Sequence, residues 1–180
     1  KEHFFSSWLN TYLTWSGRYM ATLFSIANPL LLNNTALFSV YSIAMIIGMV
    51  GCTYFFVKQA ITTTKTQNKI LATSLIVCIL LAGMPSYFEF FYWFSAYICY
   101  TIPCMAILLL LGLFFTIERS EKNLSPFAKG CYFFLASLLI IIAVGCNELT
   151  LIVLDCIIPF LLYTKWKQKA SIGYLWGWLA

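Results

Sequence analysis

Long apolar runs separated by short polar segments dominate the chain. The first run fills residues 36–57, follows the helix-capping candidates Asn33, Asn34 and Thr35, and ends at Lys58. A helix needs about 20 apolar residues to cross the hydrocarbon core of a bilayer. We therefore predict about five complete membrane spans and the beginning of a sixth. The predicted spans are 36–57, 70–84, 94–117, 127–145, 149–164 and a last one from about residue 171.

The first 33 residues carry a different pattern, without an apolar run of that length. Between Phe5 and Leu23, aromatic and aliphatic residues recur at helical spacing, and small polar residues take most other positions. Asn28 ends the pattern, because a residue before proline disfavours the helical conformation. We predict an amphipathic helix along the membrane surface or against the bundle. The expected fold is all-α, with an N-terminal outer loop (1–33) and one transmembrane domain (34–180).

Composition supports a membrane protein over a soluble one. The chain is 62% hydrophobic and 9% charged, whereas soluble domains carry about 25% charged residues. We expect a multi-pass protein of the cell membrane, with the lipid bilayer as its partner and no nucleic acid. Because the chain begins with Lys1 and stops inside an apolar stretch, we also expect it to be a fragment of a longer protein.

The basic residues predict an orientation. Of eleven lysines and arginines, nine fall in three alternate polar segments, and cytoplasmic loops of membrane proteins are enriched in these residues. The N-terminal stretch and the loops 85–93 and 145–148 are therefore predicted to face outward. The predicted cytoplasmic segments are 58–69, 118–129 and 165–169.

Arg18, in the stretch "WSGRYM", is the only lysine or arginine between Lys1 and Lys58. It falls on the predicted outer side, where the positive-inside bias gives no reason for a cation. One explanation is a side chain that reaches from the interface into water. The other is an anion site, because a planar guanidinium binds a phosphate or carboxylate through two parallel hydrogen bonds.

Two acids share the predicted outer side with Arg18. Glu89 lies among aromatic residues in "PSYFEFFYW", and Glu148 follows Asn147 in "GCNELT". Either could be structural: Glu89 as an interfacial carboxylate, and Glu148 as a favourable charge in a first helical turn that Asn147 caps. Two carboxylates beside one arginine could also supply a base or a metal ligand next to an anion site.

Asp155 lies seven residues beyond Glu148, about 10 Å deeper if the segment is helical. We predict a buried acid near mid-membrane that faces the bundle interior. It is either a protonated hydrogen-bonding group or a proton relay. The seven cysteines are interpreted as small apolar fillers, because no metal-ligand spacing links them.

Three stretches, "YLTWSGRYMATLFSIANPL", "YWFSAYICYTIP" and "GCNELT", resemble a family of largely uncharacterised bacterial polytopic membrane proteins. That family is grouped with the GT-C glycosyltransferases, which use polyprenyl-phosphate sugars. In the family an acidic pair precedes the arginine, and we expect this pair to lie upstream of the fragment. The chain departs from the family pattern at Ser95 and Ala96, where a glycine is expected after Trp93, and at Cys99, where an asparagine is common. The matching positions are Trp15, Gly17, Arg18, Trp93, Tyr100, Pro103, Asn147 and Glu148.

The resemblance implies an outer-face glycosyltransferase with a lipid-phosphate-linked sugar donor. It implies substrate binding by Arg18, Trp15, Trp93, Tyr100 and Asn147, with Glu148 as a candidate catalytic carboxylate. Glu89 is a second candidate because it shares the predicted outer side, not because of the resemblance. A divalent metal ion could bridge a carboxylate and the phosphate. Two other classes stay open: a transporter or flippase for an anionic or lipid-linked substrate, in which Asp155 relays protons, and a non-catalytic membrane subunit.

Overall fold

A computed structural model describes residues 4–16, 18–26, 28, 35–62, 65–84, 86, 92–120 and 124–167 of the chain. All secondary structure in these residues is helical, which confirms the predicted all-α class for this part of the chain. The helices are α1 (Phe4–Thr11), α2 (Tyr19–Ile26), α3 (Thr35–Ala60), α4 (Thr66–Gly83), α5 (Phe94–Ser120), α6 (Pro126–Cys146) and α7 (Leu149–Lys167).

Four helices are long and apolar enough to cross a membrane, namely α3 from Ala36 onward, α4, α5 and α6. They coincide with the first four predicted spans. The helix α7 lies where the fifth span is predicted, but its apolar part, Leu149–Tyr163, is shorter than the other four. The predicted sixth span, from about residue 171, lies outside the described residues.

Helices α3 and α5 pack side by side and run in the same direction. Near their middle, Met105 lies against Gly48, where an added Cβ would come within 3.1 Å of the Met105 sulfur. At their carboxyl ends, the guanidinium of Arg119 donates to the backbone carbonyl of Gln59. Gly48 of α3 therefore packs against the Met105 side chain of α5 at this level.

Helix α6 returns antiparallel to α5 and forms the main core with it. Its start follows directly from the sequence: Pro126 takes the first turn, and the hydroxyl of Ser125 accepts a hydrogen bond from the Ala128 N–H at 3.2 Å. Helix α7 adds Leu154, Ile158 and Leu162 to the same apolar cluster. Lipid tails are as apolar as these side chains, so within a membrane van der Waals packing, rather than removal from water, holds α5, α6 and α7 together.

The N-terminal segment consists of two short helices rather than the single amphipathic helix that we predict. A π-helical turn, Tyr12–Ser16, follows α1, and α2 then packs against α6. Leu13 is 70% exposed, whereas Ala21 and Thr22 are buried. Contact with the bundle therefore orients α2, in line with the second of the two placements that the pattern allows.

The two ends of the bundle carry different charges among the described residues. Arg119 at the end of α5 contacts the end of α3, and Lys65 starts α4 immediately beyond it. Lys58, Lys69 and Lys129 belong to the same end, because they lie in the adjoining terminal turns of α3, α4 and α6. The opposite end, where α2 meets the α6–α7 turn, carries the site described next.

A candidate anion site at one end of the bundle

Arg18 and Glu148 form an ion pair with two parallel hydrogen bonds. Arg18 Nε donates to Glu148 Oε2 at 2.6 Å, and Arg18 Nη2 donates to Glu148 Oε1 at 2.6 Å. The side chains are 32% and 65% exposed, respectively. This contact joins the N-terminal segment to the α6–α7 turn, and it brings together two residues that the sequence singled out for separate reasons.

The start of α2 positions Arg18. Its backbone carbonyl accepts from the N–H of Thr22 at 2.9 Å and from the Thr22 hydroxyl at 2.8 Å. The next residue, Tyr19, donates its hydroxyl to the Ile141 carbonyl in α6 at 3.0 Å, while its own carbonyl accepts from Trp8 Nε1 at 3.0 Å. The backbone that carries Arg18 is therefore tied to both α1 and α6.

The α6–α7 turn positions Glu148. The preceding residue, Asn147, is 4% exposed, and its Nδ2 donates to the Cys99 carbonyl at 3.0 Å. Its Oδ1 accepts from the Leu149 N–H at 3.0 Å, so Asn147 caps α7 as the sequence predicts. The hydroxyl of Thr150 donates to the carbonyls of Ala143 and Asn147. These bonds anchor the backbone of the turn and leave the Glu148 side chain exposed.

The ion pair changes the acid–base chemistry of both partners. The hydrogen bond from Arg18, helped by a backbone hydrogen bond, lowers the pKa of Glu148 from its ordinary value of 4.5 to about 2. The same hydrogen bond raises the pKa of Arg18 above its ordinary value. Glu148 is therefore ionised at neutral pH, and it is a weak base for as long as Arg18 holds it.

Cys99 is a neighbour of Arg18 that the sequence-based prediction missed. Arg18 Nη1 donates to its sulfur at 3.7 Å. Cys99 lies in a π-helical turn, Tyr97–Thr101, near the start of α5, and such turns are frequent at functional sites. The sequence marks Cys99 only as a departure from the family pattern, and the folded chain reveals its contact with Arg18.

Tyr97 in the same turn is the second residue that was missed. It is fully buried and stacks on Tyr41 with ring centroids 5.6 Å apart. Its hydroxyl has no hydrogen-bond partner within the part of the chain that the structure describes. An unsatisfied buried hydroxyl costs about 1–3 kcal/mol. The Tyr97 hydroxyl therefore remains available for a hydrogen bond to a group outside the described residues.

The other predicted binding residues are only partly placed. Trp93 precedes the first turn of α5 and is 60% exposed, and Tyr100 is 48% exposed. Trp15 lies in the π-helical turn after α1, but its side chain is outside the described residues, as is all of Glu89. The structure thus brings Arg18, Glu148 and Asn147 together around Cys99, and it leaves the predicted roles of the remaining residues as predictions.

Asp155 does not face the core of the described residues, and its expected role as a buried acid stays a prediction. Its side chain is exposed. The face of α7 that packs on the core carries Leu154, Ile158 and Leu162, which recur at intervals of four residues. Asp155 is one residue past Leu154, which is about 100° around the helix. It therefore points away from the core.

The described residues do not form a metal site around Glu148. No group of three or more His, Cys, Asp or Glu side chains that could hold a metal ion occurs among them. Both oxygens of the Glu148 carboxylate also bind Arg18. The predicted divalent metal therefore does not fit the residues seen at this end of the bundle.

Fold and site together define a class: a helical protein with several membrane-length helices and a charged, partly exposed pair at one end. No protein-family model, no curated protein and no solved structure matches the chain. The resemblance to the GT-C enzymes therefore rests on the sequence motifs alone.

Proposed function

We propose that the chain belongs to an integral membrane protein that binds the phosphate of a lipid-linked ligand at Arg18. The observation that supports the proposal is the bidentate contact between Arg18 and Glu148. In this contact the guanidinium edge of Arg18 binds the two oxygens of a carboxylate. A phosphate presents two oxygens with matching geometry.

The placement of Arg18 is consistent with a ligand at the membrane surface. The described basic residues at the other end of the bundle would face the cytoplasm by the positive-inside rule. Arg18 would then face outward, next to the start of the membrane-length helix α5, at the depth of lipid phosphates. The outer-face orientation is part of the proposal.

An apolar groove between α3 and α4 is the observation that favours a ligand with a lipid chain. The groove has a volume of about 540 Å³, and its lining consists of aliphatic and thioether side chains with Tyr92 at one end. Tyr92 lies just before α5, which also supplies Cys99 to the site around Arg18. A groove of this chemistry suits an acyl or isoprenoid chain. Representative lining residues are Ile46, Met49, Leu80 and Leu81.

Within this proposal the most specific activity is transfer of a sugar from a lipid-phosphate donor, as in the GT-C enzymes that the sequence resembles. Glu148 is the candidate base. A carboxylate whose pKa is about 2 accepts a proton poorly, so this role requires that Glu148 leaves Arg18 first. No step is assigned to a metal ion, because the described residues do not form a site for one.

A non-catalytic membrane subunit is the second candidate, and the same ion pair favours it. If Arg18 and Glu148 only join the N-terminal segment to the α6–α7 turn, the contact is complete as it stands. A proton-coupled transporter has less support, because Asp155 lies on the exposed face of α7.

The test is the affinity of the purified protein for dodecyl phosphate, measured by isothermal titration calorimetry in a neutral detergent. Arg18→Lys should weaken binding by about 1–3 kcal/mol, the scale of a charge-assisted hydrogen bond, because lysine keeps the charge but loses the planar geometry. Arg18→Gln should abolish binding. Arg119→Lys is the matched control, since Arg119 lies at the other end of the bundle. Equal affinities for all four proteins would reject the anion site.

A further inference from the structure

We propose that Glu148 is a built-in competitor that occupies the anion-binding edge of Arg18 until a phosphate-bearing ligand displaces it. This inference rests on the proposed function, because it assumes that Arg18 binds such a ligand. It adds a regulatory step to that function, because a side chain of the same protein occupies the edge of Arg18 at which the ligand would bind.

The geometry of the pair is that of a ligand in its site. Both carboxylate oxygens of Glu148 accept from the Nε and Nη2 groups of Arg18, each at 2.6 Å. A phosphate that bound with two oxygens along this edge would need the same two donors. Glu148 and the ligand therefore cannot occupy the edge together, and binding requires an exchange.

Exposure makes the exchange possible without unfolding. The Glu148 side chain is 65% exposed and that of Arg18 is 32% exposed, so an anion can approach the pair from the medium. Exposed ion pairs are weak, since water and salt compete for both partners. A phosphate diester carries one negative charge, as the Glu148 carboxylate does, and can exchange with it on such a pair. A phosphate monoester such as dodecyl phosphate carries about 1.5–2 negative charges at neutral pH and competes more strongly.

The surrounding bonds allow Glu148 to move while Arg18 stays in place. Tyr19, next to Arg18, is bonded to Ile141 in α6, and Asn147, next to Glu148, is bonded to Cys99 in α5. Both backbones are thus fixed, and only the side-chain torsions of Glu148 have to change. The released carboxylate then loses the hydrogen bonds that suppress its basicity, and it becomes available close to the bound phosphate.

The experiment measures binding of two probes, inorganic phosphate and dodecyl phosphate, to wild type and to Glu148→Gln by titration calorimetry in a neutral detergent. An internal competitor reduces the apparent affinity by the fraction of time for which the site is open. Glu148→Gln should therefore bind both probes about three- to tenfold more tightly than wild type. Glu148→Asp, which keeps the charge on a shorter side chain, should lie between them.

Glu118→Gln is the matched control, because Glu118 is exposed near the carboxyl end of α5, away from Arg18. It should leave both affinities unchanged. A greater affinity for dodecyl phosphate than for inorganic phosphate in all variants identifies a lipid as the source of the phosphate, and equal affinities identify a free phosphate. The competitor proposal expects the same tightening with either probe.

The two proposals fail in different ways. If neither wild type nor Glu148→Gln binds phosphate, the proposed anion site at Arg18 is wrong. The proposal that Glu148 competes for that site is then rejected as well. If wild type binds in an Arg18-dependent manner while Glu148→Gln binds equally or more weakly, the proposed function stands and the competitor is rejected. Weaker binding would instead make Glu148 a direct partner of the ligand. Helical content and elution volume, unchanged in each variant, establish that the proteins are folded.

Discussion

Gly145 allows the close contact that brings Arg18 to Glu148, so we predict that Gly145→Ala separates them. An added Cβ at position 145 would overlap the ring of Tyr19 and come within 2.6 Å of Met20 Cγ. Neither the Tyr19 ring nor Met20 Cγ is the free end of a flexible side chain. Both belong to the start of α2, which must therefore shift away from α6, and Arg18 shifts with it.

The magnitude follows from comparison with a second glycine in the same helix. A Cβ at Gly130 would meet nothing within 4 Å, so Gly130→Ala should stabilise α6 by about 0.5–1 kcal/mol through helix propensity alone. Gly145→Ala has the same intrinsic gain, but overpacking costs about 1–3 kcal/mol. The free energies of unfolding of the two variants should therefore differ by about 1–3 kcal/mol, with Gly145→Ala the less stable.

The assay is reversible unfolding in mixed detergent micelles, followed by far-ultraviolet circular dichroism for wild type and both variants. Limited proteolysis of the N-terminal segment provides a second readout, because a displaced α2 should be cleaved faster only in Gly145→Ala. Equal stability and equal cleavage in the two alanine variants would refute the packing of α2 on α6. The position of Arg18 would then need a different explanation.

Three further predictions concern the charged residues. Because the hydrogen bond from Arg18 lowers the pKa of Glu148, its small stabilising contribution should be complete above its ordinary pKa of 4.5 and decrease as the pH falls below that value; Glu148→Gln should lack this part of the pH dependence of unfolding. On a cysteine-free background, a cysteine at position 148 should react with an impermeant thiol reagent added to intact cells, whereas one at position 65 should not; the reverse pattern would overturn the orientation. Asp155→Asn should leave the helical content and the elution volume unchanged, because Leu154, Ile158 and Leu162, and not Asp155, face the core of the described residues; loss of a transport activity with unchanged folding would support the relay.

Helix positions were predictable because the hydrophobic length of a segment is a local property. The predicted run 127–145 became α6, Pro126–Cys146, and the run 36–57 lies within α3, Thr35–Ala60. Capping also acts locally, so Asn147 could be recognised from its neighbours as the residue that caps the start of α7. None of these inferences required knowledge of which helices pack together.

The face that each helix presents to its neighbours was not predictable in the same way. A helix that is apolar on nearly every side has almost no marking in its sequence of the face that packs, and over Leu149–Tyr163 only Thr150 and Asp155 interrupt the apolar surface of α7. Nothing local indicates that Leu154, rather than Asp155, faces the core of the described residues. Arg18 and Glu148 were selected because charges are scarce in this chain, but their pairing across 130 positions depends on the packing of α2 against α6.

The relative strengths of these interactions explain how the ion pair can open while the fold stays intact. An exposed pair contributes about 0–1 kcal/mol to stability, whereas the contact of α2 with α6 is backed by burial of Ala21 and Thr22 and by the Tyr19–Ile141 hydrogen bond. Loss of the Glu148 contact therefore leaves α2 in place, and Arg18 remains at the same end of the bundle. Because the exposed ion pair contributes little to stability, a ligand can replace Glu148 on Arg18 while the fold stays intact.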